Sequence, residues 1–591
     1  MNPETRNLVA AISLSMAVLI GYQLLFVEPK KDIAQKENIV KESDDSSNIP
    51  IPQNLDNGII ASDNTEPKSS NKPVPRISMI SKEVSGSISL KGARIDDITL
   101  TQYKETLEPE SELIKLLLKS NGDSPYFIEF GWSSPDGIKV PNGKSLWKSS
   151  SNILSPDKNI TLKWDNGENI TFYQDISVDD SFMITVNQRV ENNSNNSVTL
   201  YPYGLIRRAG EPKTIDFFVL HEGPLGVFDG TLSEKSYGDL TEAGKKGINI
   251  KPSETGGWIG LTDKYWLTAL LPDQNEKYNF TYRKLNSNGG QYQTDFLGKA
   301  VTIPSNSKGE FLSRTFAGAK RLALFDDYEE RFNIKHFDLA IDFGWFYFLT
   351  KPFFYALSWA NDYLGNFGLA ILAITVIVKL LFFPLANKSY KSMAKMRILT
   401  PQIQKLRERV GDDRQKLNQE MMNLYKKEKV NPAAGCLPIL VQIPVFFALY
   451  KVLFVSIEMR QTPFFGWIED LSVQDPTSIF NLFGLLPYST SILPDFLNIG
   501  IWPLLMGVTM FLQQRLNPTP PDPIQAKIFA WMPVAFTFLL ATFPAGMVVY
   551  WTVNNILSIT QQSFLLNKQK KTGVKTMHFA VISRCFALNL T

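Results

Sequence analysis

The chain has 591 residues, a formal net charge of +3 and a mean hydropathy of −0.10. That average conceals a polar first half and a strongly apolar second half, so the two halves have to be interpreted separately. With two cysteines and three histidines, the sequence excludes a disulfide scaffold and a zinc site, and we expect no metal and no cofactor.

The first apolar stretch, residues 8–27, follows a short head at residues 1–7 and is long enough to span a bilayer as a helix. A cleaved signal peptide is the alternative. The run is longer than a usual signal, however, and no small-x-small cleavage site follows it, so we predict an uncleaved transmembrane anchor. Residues 28–75, rich in Asp, Ser, Asn, Lys and Pro, are predicted to be a disordered tether.

Residues 76–335 carry the pattern of β-strands. Stretches such as ITLKWDNGENITFYQDISV alternate β-branched and aromatic residues with polar ones between Asn-Gly and Asp-Gly turn signals, and Asp229-Gly230 is interpreted as a hairpin turn. The pattern predicts a large antiparallel β-sandwich. The region shows no phosphate loop, zinc motif or nucleophile elbow, so we predict that the protein is not an enzyme. The sequence does not decide whether a groove of the sandwich binds a peptide or a sugar.

Five further apolar stretches follow in the second half of the chain. The last two lie in Ile528–Leu566, which contains no Asp, Glu, Lys or Arg in 39 residues and is interrupted at Pro544. Together with the anchor, these stretches predict a polytopic α-helical membrane protein with six transmembrane helices. The five predicted spans of the second half are residues 366–386, 433–457, 496–514, 528–543 and 545–566.

The orientation of the spans follows from their loops, since Lys and Arg accumulate on the cytoplasmic side. Residues 387–430 contain twelve Lys or Arg against five Asp or Glu, whereas residues 458–495 contain one Arg against five acids. The tail, residues 567–591, has five basic residues and no acid. The sequence therefore places loops 387–432 and 515–527 and both termini inside, and loop 458–495 and the β region outside. Lys30 and Lys31 oppose this assignment, and we discount them because long translocated domains cross largely regardless of charge.

Lys379 is the only charged residue in the span 366–386. A cation near the bilayer centre costs about 2.5–3.5 kcal/mol on insertion scales, so it usually faces a protein interior or a wet cavity. The alternative is that Lys379 extends its ammonium to the cytoplasmic surface. The spans also contain polar residues, several spaced to share a helix face, but no Asp or Glu. Singly these residues fit helix packing; together with Lys379 they predict a hydrated groove, with candidate residues Thr375, Gln442, Thr509, Gln513, Trp551, Asn555, Ser558 and Gln562.

The basic loop predicts a helical hairpin with arms Lys388–Val410 and Arg414–Lys427. Pro401 is expected to kink or restart the first arm. The loop either only sets topology or offers positive charge to anionic lipids, a ribosome or an incoming chain, and charge alone does not separate these alternatives. The candidate residues around the turn are Lys405, Arg407, Arg409, Gly411, Asp412, Asp413 and Arg414.

Long strings of the second half resemble the YidC/Oxa/Alb family of membrane protein insertases. The resemblance rests on Tyr390–Tyr450, with QIQKLRERVGDDRQKLNQEMMNLYKKEKVNPAAGCLPILVQIPVFFALY, and on Met459–Pro476, Leu504–Pro523 and FPAGMVVYWTVNNILSITQQ at Phe543–Gln562. In the outer region, GGWIGLTDKYWLTALLP at Gly256–Pro272 resembles the periplasmic domain of the Gram-negative form. The likeness covers nearly the whole chain except the tether and the last residues.

The resemblance implies a five-helix insertase core in the bacterial inner membrane and a periplasmic β domain. It implies that Lys379 stands where the family typically has an arginine in a hydrophilic groove, that Thr375 matches a groove residue, and that Trp551 replaces a frequent tyrosine. Lysine keeps the positive charge but not the bidentate fork of arginine. Residues 336–365 are then a linker and an amphipathic helix on the periplasmic surface.

The implied function is insertion, folding and assembly of integral membrane proteins, alone or with the Sec translocon. The implied partners are nascent membrane proteins, the Sec translocon, the ribosome and anionic lipids. Two alternatives remain, a coupled transporter, for which internal repeats and an intramembrane carboxylate are not found, and an anchored carbohydrate-active enzyme. Residues 576–591 are less polar than the tail that the family leads us to expect.

Overall fold

The computed structural model of the protein describes residues 74–212, 220–285, 290–411, 413–428, 437–488, 490, 493–494, 497–517 and 523–565. The predicted head (1–7), anchor (8–27) and tail (567–591), and all but the last two residues of the tether (28–75), lie outside these residues. So does Asp412 of the predicted hairpin turn.

The first half of the described chain folds into two β-sheets. The first sheet has eleven strands, ordered β14-β17-β18-β11-β5-β3-β2-β1-β7, with β19 paired to β11 and β4 paired to β3. Its strands are β1 (Arg76–Ile80), β2 (Val84–Ser89), β3 (Arg94–Lys104), β4 (Leu113–Leu117), β5 (Tyr126–Ser133), β7 (Ile153–Leu154), β11 (Val198–Ala209), β14 (Ile248–Ile250), β17 (Asn279–Leu285), β18 (Gln291–Leu297) and β19 (Val301–Ile303).

The second sheet has nine strands, ordered β13-β12-β15-β16-β20-β10-β9-β8-β6. Its strands are β6 (Lys148–Ser149), β8 (Ile160–Asp165), β9 (Ile170–Val178), β10 (Met183–Asn192), β12 (Gly223–Phe228), β13 (Thr231–Glu234), β15 (Trp258–Thr262), β16 (Trp266–Pro272) and β20 (Ser307–Ala319).

Local sequence accounts for much of this pairing. In β10, buried and partly buried residues alternate along most of the strand, as expected for a strand with one face in the core. The predicted turn at Asp229-Gly230 is confirmed, since both residues have positive φ and they join β12 to β13 in register. The predicted antiparallel pairing does not hold at one described pair, because β1 and β7 run parallel. A crossover between distant segments permits that pairing.

The two sheets share one hydrophobic core. Buried amides also connect them, because Gln174 Nε2 of β9 donates to the Phe130 carbonyl of β5 at 2.9 Å. Gln188 Nε2 of β10 donates to the Gly131 carbonyl at 2.9 Å. Such side chain to backbone bonds satisfy polar groups that would otherwise be buried unpaired.

Helices follow the β domain and one helix interrupts it. The described α-helices are α1 (Tyr237–Ala243), α2 (Leu322–Phe332), α3 (Tyr347–Leu364), α4 (Phe367–Leu381), α5 (Phe383–Val410), α6 (Arg414–Lys427), α7 (Leu437–Val455), α8 (Ile501–Leu516), α9 (Pro523–Leu540) and α10 (545–565). The described 3₁₀ turns are Gly244–Lys246, Phe337–Ala340, Ile457–Met459 and Ile479–Gly484. Of the two expectations for Pro401, a kink or a restart, the restart is wrong, because α5 continues through this residue.

No single helix of the described residues is both long and apolar enough to cross a membrane by itself. Helix α4 and the start of α5, Phe367–Leu381 and Phe383–Met393, meet that requirement together across a 65° bend. The predicted span 366–386 therefore differs from the structure, which breaks it at Phe382. Pro384 explains the break, because its ring lacks an N–H and obstructs the carbonyl one turn earlier.

Buried charges join the β domain to the helices. Lys451 Nζ of α7 lies 2.7 Å from Asp342 Oδ2, and that oxygen also accepts a hydrogen bond from the His221 N–H. Gly344 has a φ of 70° and packs so closely that a Cβ there would lie 2.8 Å from Lys451 Cε. Substitution of this glycine would therefore disturb the ion pair.

A second set of contacts joins the β domain to the end of α7 and to the segment that follows it. Arg460 donates to the Lys104 carbonyl at 2.5 Å, and Lys264 Nζ lies 4.1 Å from the centre of the Phe454 ring. Burial lowers the pKa of Lys264 to about 8. The β domain is thus fixed to the end of α7 by ionic, polar and cation–π contacts.

Candidate functional site: a cationic cleft between apolar helices

Lys379 lies in the last turn of α4, and its side chain is half-buried against α10. Its Nζ donates a hydrogen bond to Ser558 Oγ at 2.8 Å, and Ser558 Oγ donates to the Asn554 carbonyl at 2.8 Å. No carboxylate among the described residues forms an ion pair with Lys379. A neutral hydroxyl orients the ammonium but leaves its charge uncompensated, so the site is attractive to an anion.

A cleft opens beside Lys379 where the bent helix pair meets α7 and α10. Its lining combines the cation, two amides, a phenol and apolar side chains: Lys379, Phe382, Leu385, Ala386, Tyr390, Gln442 and Gln561. The volume of about 40 Å³ admits water, which needs roughly 10–15 Å³ per molecule on the same measure. The bend at Phe382 shapes this cleft, because it places α4 and α5 residues on the same wall.

Gln442 and Trp551 take part in contacts between α7 and α10. Gln442 Nε2 lies 3.5 Å from the Tyr550 hydroxyl, a long hydrogen bond. The Trp551 ring stacks on Phe446 with centres 5.2 Å apart and planes inclined by 13°. Trp551 thus belongs to an aromatic cluster between α7 and α10, and its groove role stays a prediction.

The rest of the predicted polar stripe on α10 has another partner. Asn555 Nδ2 donates to Thr509 Oγ1 at 3.3 Å, and Gln562 Nε2 donates to the Leu516 carbonyl at 3.1 Å. Both bonds join α10 to α8. Thr509, Asn555 and Gln562 thus link two helices, and their place in the groove stays a prediction.

Two predicted residues stand apart from the cleft lining. Thr375 is buried, and its hydroxyl donates to the Ile371 carbonyl of its own helix at 2.6 Å. Gln513 is half-buried on α8. Among the predicted residues, the structure brings together Lys379, Ser558 and Gln442, and the groove role of the other candidates stays a prediction.

Sequence reasoning missed Tyr390 and Gln561, which line the cleft. Tyr390 falls in the segment predicted to be a cytoplasmic arm, but α5 begins at Phe383 and carries it alongside Lys379. Gln561 adjoins Gln562 on α10, and its Nε2 lies 3.4 Å from the Phe383 carbonyl. A helical wheel of α10 centred on Ser558 rather than on Asn555 could have identified Gln561, since Ser558 and Gln561 are three residues apart and share a helix face.

The predicted hairpin is present as α5 and α6. Gly411 ends α5 with a φ of 67°, and Asp413 Oδ1 accepts a hydrogen bond from the Lys416 N–H at 3.0 Å, which caps α6. Arg409 forms an ion pair with Glu420 across the hairpin. Lys405 and Arg407 are exposed. The arms therefore present positive charge to their surroundings.

Two sequence families match this chain, and between them they cover both of its regions. The family described as "YidC periplasmic domain" matches residues 76–356, and the family described as "60Kd inner membrane protein" matches residues 359–572. A relative from Beijerinckia indica, named membrane protein insertase YidC, is 48% identical over 97% of this chain and 97% of its own length. A relative of the same name from Rickettsia bellii is 47% identical over 97% of this chain and 100% of its own length.

A crystal structure of an active YidC insertase with its first transmembrane domain resolved is also similar, at 18% identity over 83% of this chain and 92% of that one. Its TM-score of 0.34 is too low for the likeness to define the fold. The matches to the two families and to the curated relatives define an inner membrane protein with a periplasmic domain. The chain belongs to the YidC family of membrane protein insertases.

Proposed function

We propose that this insertase receives a polar or acidic segment of a nascent membrane protein in the cleft beside Lys379. The observation that carries the proposal is the ammonium of Lys379, which a serine hydroxyl orients at 2.8 Å and which no described carboxylate neutralises. A cation in an apolar setting attracts an anionic group strongly, because the local dielectric is low. Because the chain belongs to a family of membrane protein insertases, we do not propose the transporter or the anchored carbohydrate-active enzyme.

The cleft lowers the cost of bringing polar groups to membrane depth. Lys379, Gln442 and Tyr390 offer hydrogen bonds, and the free volume admits water. In its present shape the cleft has room for water but not for a polypeptide, so α4, α7 and α10 have to separate when a client enters. Partition of the client's hydrophobic helix into lipid then supplies the favourable free energy, and no ATP is required for that step.

The remaining parts of the chain fit this scheme as proposals. We propose six transmembrane helices, with the β domain, as a β-sandwich, in the periplasm and both termini in the cytoplasm. Helix α3 exposes Phe348, Trp359 and Tyr363, and we assign it to the membrane interface. The basic hairpin recruits clients or ribosomes and contacts anionic lipids, and cooperation with the Sec translocon is part of the same proposal.

The test is insertion of a small client with an acidic translocated segment, in cells depleted of their own insertase. The cells receive this chain unaltered or with Lys379→Arg, Lys379→Ala or Lys379→Glu. We expect Arg to support insertion, Ala to reduce it and Glu to abolish it. Lys144→Glu is the matched control, since it makes the same charge change at an exposed site of the β domain. Equal insertion by all Lys379 variants would contradict the proposal.

A further inference from the structure

An uncharged segment lies in the loop that joins α7 to α8. From Thr477 to Pro494 the sequence has 18 residues without an Asp, Glu, Lys or Arg. Residues 480–488 of this segment, here called the apolar loop, carry six large apolar or aromatic side chains. All six are exposed: Phe480, Leu482, Phe483, Leu485, Leu486 and Tyr488, with Leu485 at 83% exposure. A soluble surface rarely gathers so many in nine residues, so the loop has the character of a binding surface.

The backbone of the apolar loop takes a conformation that its residues rarely adopt. Leu482 has a φ of 50° and Phe483 a φ of 60°, both in the left-handed region that disfavours bulky side chains. The strained pair turns the chain inside the 3₁₀ segment Ile479–Gly484. Strain of this kind persists where the surroundings impose it and gathers at functional segments.

The same turn satisfies the backbone of the loop from within. The Phe483 N–H donates to the Ser478 carbonyl at 2.7 Å, and the Leu486 N–H donates to the Asn481 carbonyl at 3.0 Å. The Gly484 N–H donates to Asn481 Oδ1 at 3.0 Å. Internal pairing of backbone donors is the condition for placing non-helical chain next to hydrocarbon, where water cannot replace a missing partner.

The base of the loop is fixed to the start of α8. Asp475 is buried, its Oδ2 accepts a hydrogen bond from the Trp502 N–H at 2.9 Å, and the Ile479 N–H donates to the Ile499 carbonyl at 3.0 Å. Below this anchor, α8 exposes Leu505, Val508 and Leu512, which share one face. The apolar surface of the loop therefore continues an apolar surface of a proposed membrane helix.

We propose that the apolar loop inserts into the phospholipid bilayer, at the boundary of head groups and acyl chains beside the start of α8. The uncharged sequence, outward aromatic and aliphatic side chains, internally paired backbone and continuity with α8 all fit a lipid partner. The proposal does not depend on insertase activity. Only the assignment to the outer leaflet rests on the proposed topology.

The experiment uses the full chain with Cys436→Ser and Cys585→Ser, reconstituted without client in vesicles of phosphatidylethanolamine and phosphatidylglycerol. An environment-sensitive fluorophore is attached at Leu485→Cys, at Phe480→Cys as a second reporter, or at Glu469→Cys. Glu469 is the matched control because it is an exposed, charged residue of the same outer loop. Quenching is measured with lipids that carry a nitroxide near the head group and, separately, with aqueous iodide.

We expect lipid nitroxide to quench the two loop reporters several-fold more than the Glu469 reporter, and iodide to show the reverse order. Loop reporters as accessible to iodide as the control would overturn the proposal. Reporters shielded from both quenchers would also overturn it, because with no client present they would place a second copy of this chain on the loop. Insertion activity in the same vesicles is scored separately, so failure of one proposal does not decide the other.

Discussion

The β domain and the helical region each hold a lysine that donates to a single hydroxyl, but the two lysines have opposite surroundings. Lys320 of the β domain is 2% exposed, its Nζ lies 3.0 Å from Thr262 Oγ1, and the carboxylates of Asp342, Asp263 and Glu222 favour its charge. Lys379 has Ser558 at 2.8 Å and no carboxylate among the described residues. Lys320 is buried in the β domain with carboxylates in its surroundings, whereas Lys379 is half-buried and remains available to a ligand.

The same contrast extends to ion pairs. In the β domain, buried arginines are paired with acids, such as Arg283 with Asp295 at 3.0 Å and Arg94 with Glu129 at 2.7 Å. Large exposed apolar side chains instead concentrate in and around the helices. This contrast supports the proposal that the β domain contributes stability and that the helical region contacts the client.

The largest expected effect concerns the ion pair that joins the two regions. Asp342→Ala removes the carboxylate that lies 2.7 Å from the ammonium of the buried Lys451, and removing one member of a buried pair costs about 3–5 kcal/mol. We expect the free energy of unfolding of the β domain, followed by tryptophan fluorescence of the full chain in detergent with urea, to fall by about 3 kcal/mol.

The control for that change is Glu191→Ala, which removes the partner of Lys308, 72% exposed, at 2.6 Å. Exposed pairs contribute only about 0–1 kcal/mol. If the Asp342 and Glu191 variants lose equal stability, the junction is not a buried ionic contact in solution.

A smaller effect of opposite sign is expected for Lys320→Met. Burial lowers the pKa of Lys320 to about 8 from an ordinary value of 10.5, so the native state releases its proton before the unfolded chain does. Below pH 8 both states are charged and the burial penalty is complete; between pH 8 and 10.5 the unfolded chain binds more protons, and stability rises with pH. Replacing a buried charge with an apolar side chain stabilises proteins by about 1–4 kcal/mol in favourable cases.

We therefore expect Lys320→Met to raise the melting temperature of the β domain at pH 7, and the gain to shrink as pH approaches 10.5. Lys299→Met is the control, because Lys299 is exposed and its pair with Glu276 is on the surface. A loss of stability at pH 7 would show that the nearby carboxylates require the charge. Client insertion at pH 7 should be unchanged by Lys320→Met, in contrast to substitution of Lys379.

The smallest effect is expected for Ser558→Ala. This change removes the hydroxyl that orients the Lys379 ammonium, a charge-assisted hydrogen bond that contributes about 1.5–3 kcal/mol when buried and less in a hydrated cleft. We expect insertion to decrease less than with Lys379→Ala, while dependence on the acidic client segment is retained. Thr560→Ala, on an exposed part of the same helix, is the control. A loss equal to that of Lys379→Ala would make Ser558 itself the essential group.

The sequence was informative wherever the pattern is local. The alternation of apolar and polar residues predicted strand β10, and the Asp229-Gly230 turn was predicted from its dipeptide. In the hairpin, the predicted end of the first arm at Val410 and start of the second at Arg414 match the structure. The parallel pairing of β1 with β7 was not predictable, because it joins segments whose partners are distant in sequence. Local periodicity does not specify such partners.

Prediction of the candidate site from sequence was limited in the same way. Periodicity identified a polar stripe on α10, but it could not tell which neighbour each residue meets, so Asn555 was grouped with Lys379 although it bonds to Thr509 of α8. Pro384 was visible in sequence, yet its consequence, a bend that moves Tyr390 into the cleft, depends on how α5 packs. Lys379 itself was identifiable because an isolated charge in an apolar stretch is costly wherever the helix lies.

The most direct measurement of the central claim is a charge exchange between the chain and its client. Insertion is compared for a client with an acidic translocated segment and for the same client with lysines in those positions, each with Lys379 or with Lys379→Glu. The account predicts that the Lys379 chain favours the acidic client and that Lys379→Glu reverses the preference. The same preference with both chains would contradict a role for the charge of Lys379 in client recognition.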